Sequence, residues 1–279
     1  LEPHTIEEAV SLLSKYNEKA RIIVGGTDLL NLIRTKMIRP EYVVDIGKLP
    51  GLDCVKYDER GALSIGALTT IRTLEMSAEL KEFHPVISQS AGQLGSMAIR
   101  NVGTIGGNLC NAAPCAETAP SLMGLGASVK IAGPVGERSI ALEDFFSGPG
   151  QTDLRKGEML VEIQVPSMPP QTRGVYLKHS IRGSEDLAIV GVAVIATLDS
   201  GCCRNVKIVL GAVAPTPLRA RNAEEVLAGK EIDDALIEKT ARAASEESRP
   251  ITDVRASADY RKEMVKVFTR RAIKAVVAG

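Results

Sequence analysis

The chain has no tryptophan and few other aromatic residues, 3% in all, which removes the stacking platform that single-stranded nucleic acid needs. Neither sign of charge is in excess: 34 Lys plus Arg stand against 34 Asp plus Glu, so there is no electrostatic footprint for a polyanion. Long apolar runs are missing too. The longest, Leu187 to Leu198, has twelve residues, short of the roughly 20 that span a bilayer. No basic start followed by an apolar segment opens the sequence, so nothing points to secretion. His4, His84 and His179 lie far apart, and no C-x-x-C pair occurs among Cys54, Cys110, Cys115, Cys202 and Cys203. Cys110 and Cys115 would leave a zinc or iron–sulfur site half ligated, so no metal ligand is assigned. Five cysteines fit reduced thiols in a cytoplasmic protein better than a disulfide framework. G-x-G-x-x-G and Walker A patterns are both absent, which disfavours the commonest dinucleotide and NTP readings.

What remains is a chain of 279 residues, enough for two domains with a substantial core. Thr5 with Glu8 makes a capping-box pattern for a helix through Leu13. A β-branched strand over Ala20–Val24, a helix from Asp28 to Met37 and a buried strand over Tyr42–Ile46 follow, a β-loop-α-β unit that favours a small parallel sheet. From Gly51 the texture becomes α+β, with strands over Ala62–Ile65, Ser128–Ala132 and Met159–Val165 expected to pair mostly antiparallel. Helices are expected from about Thr70 to Leu80 and from His84 to Gly95. Three prolines in Pro166-Ser-Met-Pro-Pro mark the best boundary. Domains of 1–168 (subdomains about 1–50 and 51–168) and 171–279 result. The second has strand candidates at Gly174–His179, Ala188–Leu198 and Asn205–Ala212, then helices, the last over Ala256–Val277.

Two glycine clusters carry the chemistry. In Ile22-Ile-Val-Gly-Gly-Thr-Asp-Leu29 a strand runs straight into Gly25-Gly26, and Gly103-Thr-Ile-Gly-Gly-Asn108 is the second. Glycine permits positive φ and removes the Cβ, so successive main-chain N–H groups can converge on an anion. Thr27 and Thr104 add hydroxyls. Each cluster alone also reads as an ordinary tight turn; together they suit a diphosphate held from two sides.

Val24-Gly-Gly-Thr-Asp-Leu29 and Thr104-Ile-Gly-Gly-Asn-Leu109 resemble the two FAD-binding loops of the flavoprotein (medium) subunits of molybdenum hydroxylases, the xanthine dehydrogenase and aerobic carbon monoxide dehydrogenase family. The opening Pro3-His-Thr-Ile-Glu-Glu-Ala9, the inter-loop Gly66-Ala-Leu-Thr-Thr70 and Asp253-Val-Arg-Ala-Ser-Ala-Asp-Tyr-Arg261 are also similar to that family's sequences, so the resemblance covers nearly the whole chain.

The resemblance implies an α+β protein: a vanillyl-alcohol-oxidase-type FAD-binding fold of two α/β subdomains, then a C-terminal α+β domain with a small antiparallel sheet and helices. It implies non-covalent FAD, since the first loop has neither His nor Cys, with its diphosphate wrapped by Ile22, Ile23, Val24, Gly25, Gly26, Thr27, Asp28 and Leu29. Gly103, Thr104, Gly106, Gly107 and Asn108 would close the other side. Glu117 would take the sugar-like hydroxyls, Leu160 would pack on the isoalloxazine, and Lys178 would stand at the flavin's pyrimidine edge. Leu160 reads equally well as an inward strand residue. Leu94 would lie near the adenine, and Glu185 and Asp186 in a loop that moves near the flavin in relatives using NAD. The four-cysteine insertion of aryl-CoA-reducing relatives is absent.

No nucleophile or acid–base dyad for substrate chemistry is evident, so the resemblance implies an electron-transfer role. A small subunit with two [2Fe–2S] clusters would deliver electrons, a large subunit would carry the molybdenum cofactor, and the assembly would be a heterotrimer or a pair of them. A free-standing FAD-dependent oxidoreductase and a non-catalytic nucleotide-binding module are the alternatives.

Overall fold

The computed structural model describes residues 1–183, 185–199 and 201–278. The first helix, Ile6–Tyr16, begins as its sequence requires. Thr5 Oγ1 accepts from Glu8 N–H at 3.1 Å while the Glu8 carboxylate accepts from His4 N–H at 2.8 Å, a reciprocal cap that stabilises by about 1 kcal/mol. Strands Ala20–Ile23 and Tyr42–Asp45 pair in parallel as a two-stranded sheet. Between them the expected helix is shorter than the sequence suggests, Leu29–Arg34. Ala9, Val10 and Leu13 pack with Val44, Ile46 and Val161 to close this first unit.

A five-stranded, wholly antiparallel sheet follows, with Leu63–Gly66 and Ser128–Gly133 flanking the central strand Met159–Val165. Val55–Tyr57 and Gly136–Ala141 are its edges. The latter has no counterpart in the sequence reading, because an exposed edge strand written Gly-Glu-Arg-Ser-Ile-Ala lacks an apolar stripe. The single helix expected over Thr70–Leu80 is two, Ile71–Met76 and Ala78–Phe83. The break falls at Ser77, whose hydroxyl accepts from Leu80 N–H and caps the second. The helix expected over His84–Gly95 is found as Pro85–Gly92, and a separate short helix, Met97–Val102, follows it beyond the expected bounds.

Beyond the prolines, Thr172–His179, Val190–Asp199 and Cys202–Gly211 form an antiparallel sheet completed by two short strands. The twelve-residue apolar run explains itself here. Alternate side chains point to opposite faces of a strand, and both faces are covered. Val190, Val192, Val194 and Ala196 meet the C-terminal helices Arg221–Leu227, Asp234–Glu247 and Ala258–Ala278. Ala193 and Ile195 join the central core with Leu122 of the helix Thr118–Leu125. The Asp253–Arg261 segment locks the last helix to this sheet: the buried Arg261 guanidinium donates to the carbonyls of Ile189 and Ala212 and to Asp253.

Candidate functional site

The two glycine clusters meet. Gly25 faces the Val102–Gly103 peptide so closely that a Cβ on it would stand 1.9 Å from the Val102 carbonyl oxygen. No side chain fits there, so the first loop can approach the second only with glycine at this position. Gly26, at φ +69°, turns the chain into the helix that starts at Leu29. From Gly25 through Leu29, the main-chain N–H groups have no hydrogen-bond partner among the described residues. Main-chain donors are almost always paired unless something outside the chain satisfies them, so this run of amides is equipped for an anion. The backbone of Ile22, Ile23 and Val24 leads into it, half-buried, while Thr27 and Asp28 are exposed. Partial desolvation by the surrounding loop nevertheless raises the Asp28 carboxyl, the Thr27 hydroxyl partly offsetting it.

The second cluster differs from its sequence reading. Most of it is the first turn of a helix, Ile105–Asn111, capped by Thr104. Most of its amides are bonded inside the protein; Thr104 N–H has no partner among the described residues. Gly103 N–H donates to Ile99 O, Ile105 N–H to Thr69 O, Gly106 N–H to Ala67 O, and Asn108 N–H to Thr104 O. Gly107 N–H donates to Thr104 Oγ1 at 3.1 Å. These bonds make the turn a rigid shelf, with the Thr104 N–H its one amide left open among the described residues. Thr70 and Thr104 pair as an antiparallel bridge, and Gly106 lies so close to Ala67 that a Cβ would be 2.6 Å from its carbonyl oxygen. The segment Gly66–Thr70 is thus the shelf's support, a role no local sequence pattern announces. Asn108 Oδ1 accepts from the buried Thr118 hydroxyl, which ties the shelf to the next helix.

Glu117 and Lys178, expected at different parts of a cofactor, are bonded to one another. Lys178 Nζ donates to Glu117 Oε1 at 2.8 Å and to the Gln93 carbonyl at 2.8 Å, and the two side chains are 1% and 7% exposed. Burial pushes the Glu117 carboxyl above its ordinary range, with the lysine offsetting this only in part. Burial and the Glu117 charge likewise raise Tyr176 and Cys115. Cys110 is raised to about 12 by burial alone.

Leu160 occupies the inward strand position, 4% exposed in the central core opposite Ile131. Leu94 is also buried, its carbonyl and that of Gly95 held by Arg100 Nη1. Glu185 is exposed, and Asp186 pairs with Arg182. Among the described residues no group of three or more His, Cys, Asp or Glu could hold a metal, and no helix is long and apolar enough to cross a membrane.

Free amides on a glycine turn, pressed against a rigid helical shelf, have the chemistry that suits a phosphorylated ligand. Comparison with known proteins gives its kind. Residues 1–168 match the family described as the FAD binding domain in molybdopterin dehydrogenase, and residues 175–276 the CO dehydrogenase flavoprotein C-terminal domain. The chain is 34% identical over 272 residues to the glyceraldehyde dehydrogenase medium chain of Sulfolobus acidocaldarius, covering 98% of this chain and 95% of that one. It is 30% identical over 276 residues to the xanthine dehydrogenase FAD-binding subunit of Escherichia coli O157:H7, covering 99% and 94%. Reconstituted CO dehydrogenase from Oligotropha carboxidovorans has a chain that superposes with a TM-score of 0.95 at 34% identity, covering 99% of this chain and 96% of that one. The chain belongs to the FAD-binding medium subunits of the molybdenum hydroxylase family, and is a subunit of an FAD-dependent oxidoreductase.

Proposed function

We propose that residues 1–168 hold FAD non-covalently in a vanillyl-alcohol-oxidase-type fold, with 171–279 as the second domain, and that the chain relays electrons within a larger complex. The unpartnered amides from Gly25 through Leu29 carry this reading. They fit a diphosphate, whose oxygens would complete donors the fold leaves open. Ile22, Ile23 and Val24 would flank it with half-buried backbone. Gly103, Thr104, Gly106, Gly107 and Asn108 would form the opposing wall by shape, with the open Thr104 N–H as a further main-chain donor. Glu117 and Lys178 would border the sugar-like chain and the ring, and Leu160 would back the ring's floor from the core. FAD, when bound, supplies a carrier that takes up single electrons and releases two.

The chain's own residues bind, orient and tune. Nothing in the site resembles machinery for hydroxylating a substrate, so that chemistry is assigned to a molybdenum-cofactor subunit, with a [2Fe–2S] subunit between. Apolar Leu30, Ile99 and Val102 stand 55%, 40% and 48% exposed, Leu30 against Gly26 and Val102 against Gly25. This rim suits docking of the iron–sulfur partner in a heterotrimer, single or paired. The test is titration of the flavin-free chain with FAD, followed by electron delivery from the reduced iron–sulfur subunit; saturable binding of one FAD per chain is expected, and no binding would refute the reading.

A further inference from the structure

The helix Met97–Val102 ends on the carbonyl against which Gly25 packs, and a buried arginine on that helix holds it in place. Arg100 is 9% exposed. Its Nε donates to Glu75 Oε2 at 2.8 Å, and its Nη1 donates to the carbonyls of Leu94 and Gly95 at 3.1 and 2.7 Å. Glu75 lies on the helix Ile71–Met76, where Arg72 Nη1 also donates to it at 2.8 Å. Burial alone would raise the Glu75 carboxyl, but the two guanidinium groups hold it below its ordinary range. At the far end of the same two helices, Ile71 N–H donates to the Gly103 carbonyl at 2.9 Å. One guanidinium therefore joins three pieces: the helix Ile71–Met76, the turn at Leu94 and Gly95, and the helix that presents the Val102 carbonyl. A planar fork of N–H donors fixes such a junction more firmly than a point charge on a flexible stem.

We propose that Arg100 is a positioning residue for the cofactor site. Clamped by Glu75 and by the Leu94 and Gly95 carbonyls, it keeps the Val102 carbonyl from yielding and so sets how closely the Gly25 turn can approach. It acts through the helix on which it sits. The clamp stands on its own geometry; its consequence for the cofactor rests on the flavin reading above. An arginine that served only general stability would lower the melting temperature when removed, but its removal would be indifferent to the residue at position 25.

The experiment is a double-mutant cycle on the full-length chain: Arg100→Met, Gly25→Ala and the two together. A control cycle replaces Gly25→Ala with Gly107→Ala, whose added Cβ would meet only the Thr104 hydroxyl. Arg72 still pairs with Glu75 in Arg100→Met, so a folded variant is expected. Urea unfolding of the flavin-free protein and the Kd for FAD are measured for each form. Arg100→Met alone weakens FAD binding about tenfold. With the helix released, the new Cβ at position 25 displaces the Val102 carbonyl instead of the glycine turn. The double variant therefore loses less stability than the two single losses together, and its Kd is no weaker than that of Gly25→Ala. In the control cycle the losses add, as they do for unconnected sites. A Gly25→Ala chain that folds only when Arg100→Met accompanies it is the same result in extreme form. Additive losses at positions 25 and 100, or an Arg100→Met chain that binds FAD as the parent does, would overturn the proposal. So would an Arg100→Met chain or a double variant that folds under no condition. If no form binds FAD, the flavin reading fails while the unfolding cycle still decides the role of Arg100.

Discussion

Gly25 is packed against the Val102 carbonyl with no space for even a methyl group, since a Cβ there would lie 1.9 Å from the oxygen. This contact sets the distance between the two loops, and through it the aim of the amides that follow Gly25. Peptide oxygen cannot swing aside as a side chain can, so relief of the clash must move one loop bodily.

Gly25→Ala is therefore expected to weaken FAD binding by about 100-fold or more, equivalent to roughly 3 kcal/mol, while the sheets and their cores persist. Gly107 provides the contrast. Its added Cβ would meet only the Thr104 hydroxyl, at 3.1 Å, so Gly107→Ala should change the Kd by less than about tenfold. Flavin fluorescence titration of both variants, with circular dichroism as the control for folding, measures the difference.

Thr104→Val removes the oxygen that accepts from Gly107 N–H and leaves the helix Ile105–Asn111 uncapped. A lost cap costs about 1 kcal/mol, which for a protein of this size lowers the melting temperature by roughly 2–4 °C. Differential scanning calorimetry of the flavin-free form gives the value.

Asp253 ties acid stability to the last helix. Burial alone would raise its carboxyl, but the N–H groups of Arg255 and Ala256 and the Arg261 guanidinium hold it down at about 2. A carboxyl depressed in the folded state contributes stability that is complete above its unfolded value near 3.9 and is lost as pH falls toward 2. Asp253→Asn should be less stable than the parent at pH 6, and the gap should narrow as pH falls from about 4 to 2. Urea unfolding at each pH tests this.

His84 adds a separate window at higher pH. Its ring is buried with Nδ1 on the Tyr57 hydroxyl at 2.9 Å, and burial lowers its proton affinity. In the unfolded chain it binds a proton near pH 6.5. Stability contributed by the neutral ring is thus complete above that pH and declines as pH drops below it. His84→Gln should flatten the stability profile between about pH 5 and 6.5 and leave the Asp253 window intact.

Local signals were readable from sequence because their physics is local. The Thr5–Glu8 cap needs only four residues, and Met159–Val165 is found at its expected bounds. The first glycine turn was legible from a β-branched strand meeting Gly25-Gly26. The second was half legible: Gly106 marks close packing against Ala67, and the helix-starting role of Thr104 competed with the turn reading. Ser77 split an expected helix because a hydroxyl cap outweighs a continuous apolar pattern. The Val102 carbonyl and the Glu117–Lys178 bond left no trace in sequence. Any residue supplies a carbonyl, and pairing across 61 positions is set by the tertiary fold.

The open amides from Gly25 through Leu29 are proposed to receive the diphosphate of FAD. Isothermal titration of the flavin-free chain with FAD, riboflavin and ADP separates the parts of that contact. One tight site for FAD, measurable binding of ADP and much weaker binding of riboflavin are expected, with Gly25→Ala abolishing the ADP signal. Riboflavin binding as tightly as FAD, or ADP binding that survives Gly25→Ala unchanged, would contradict it.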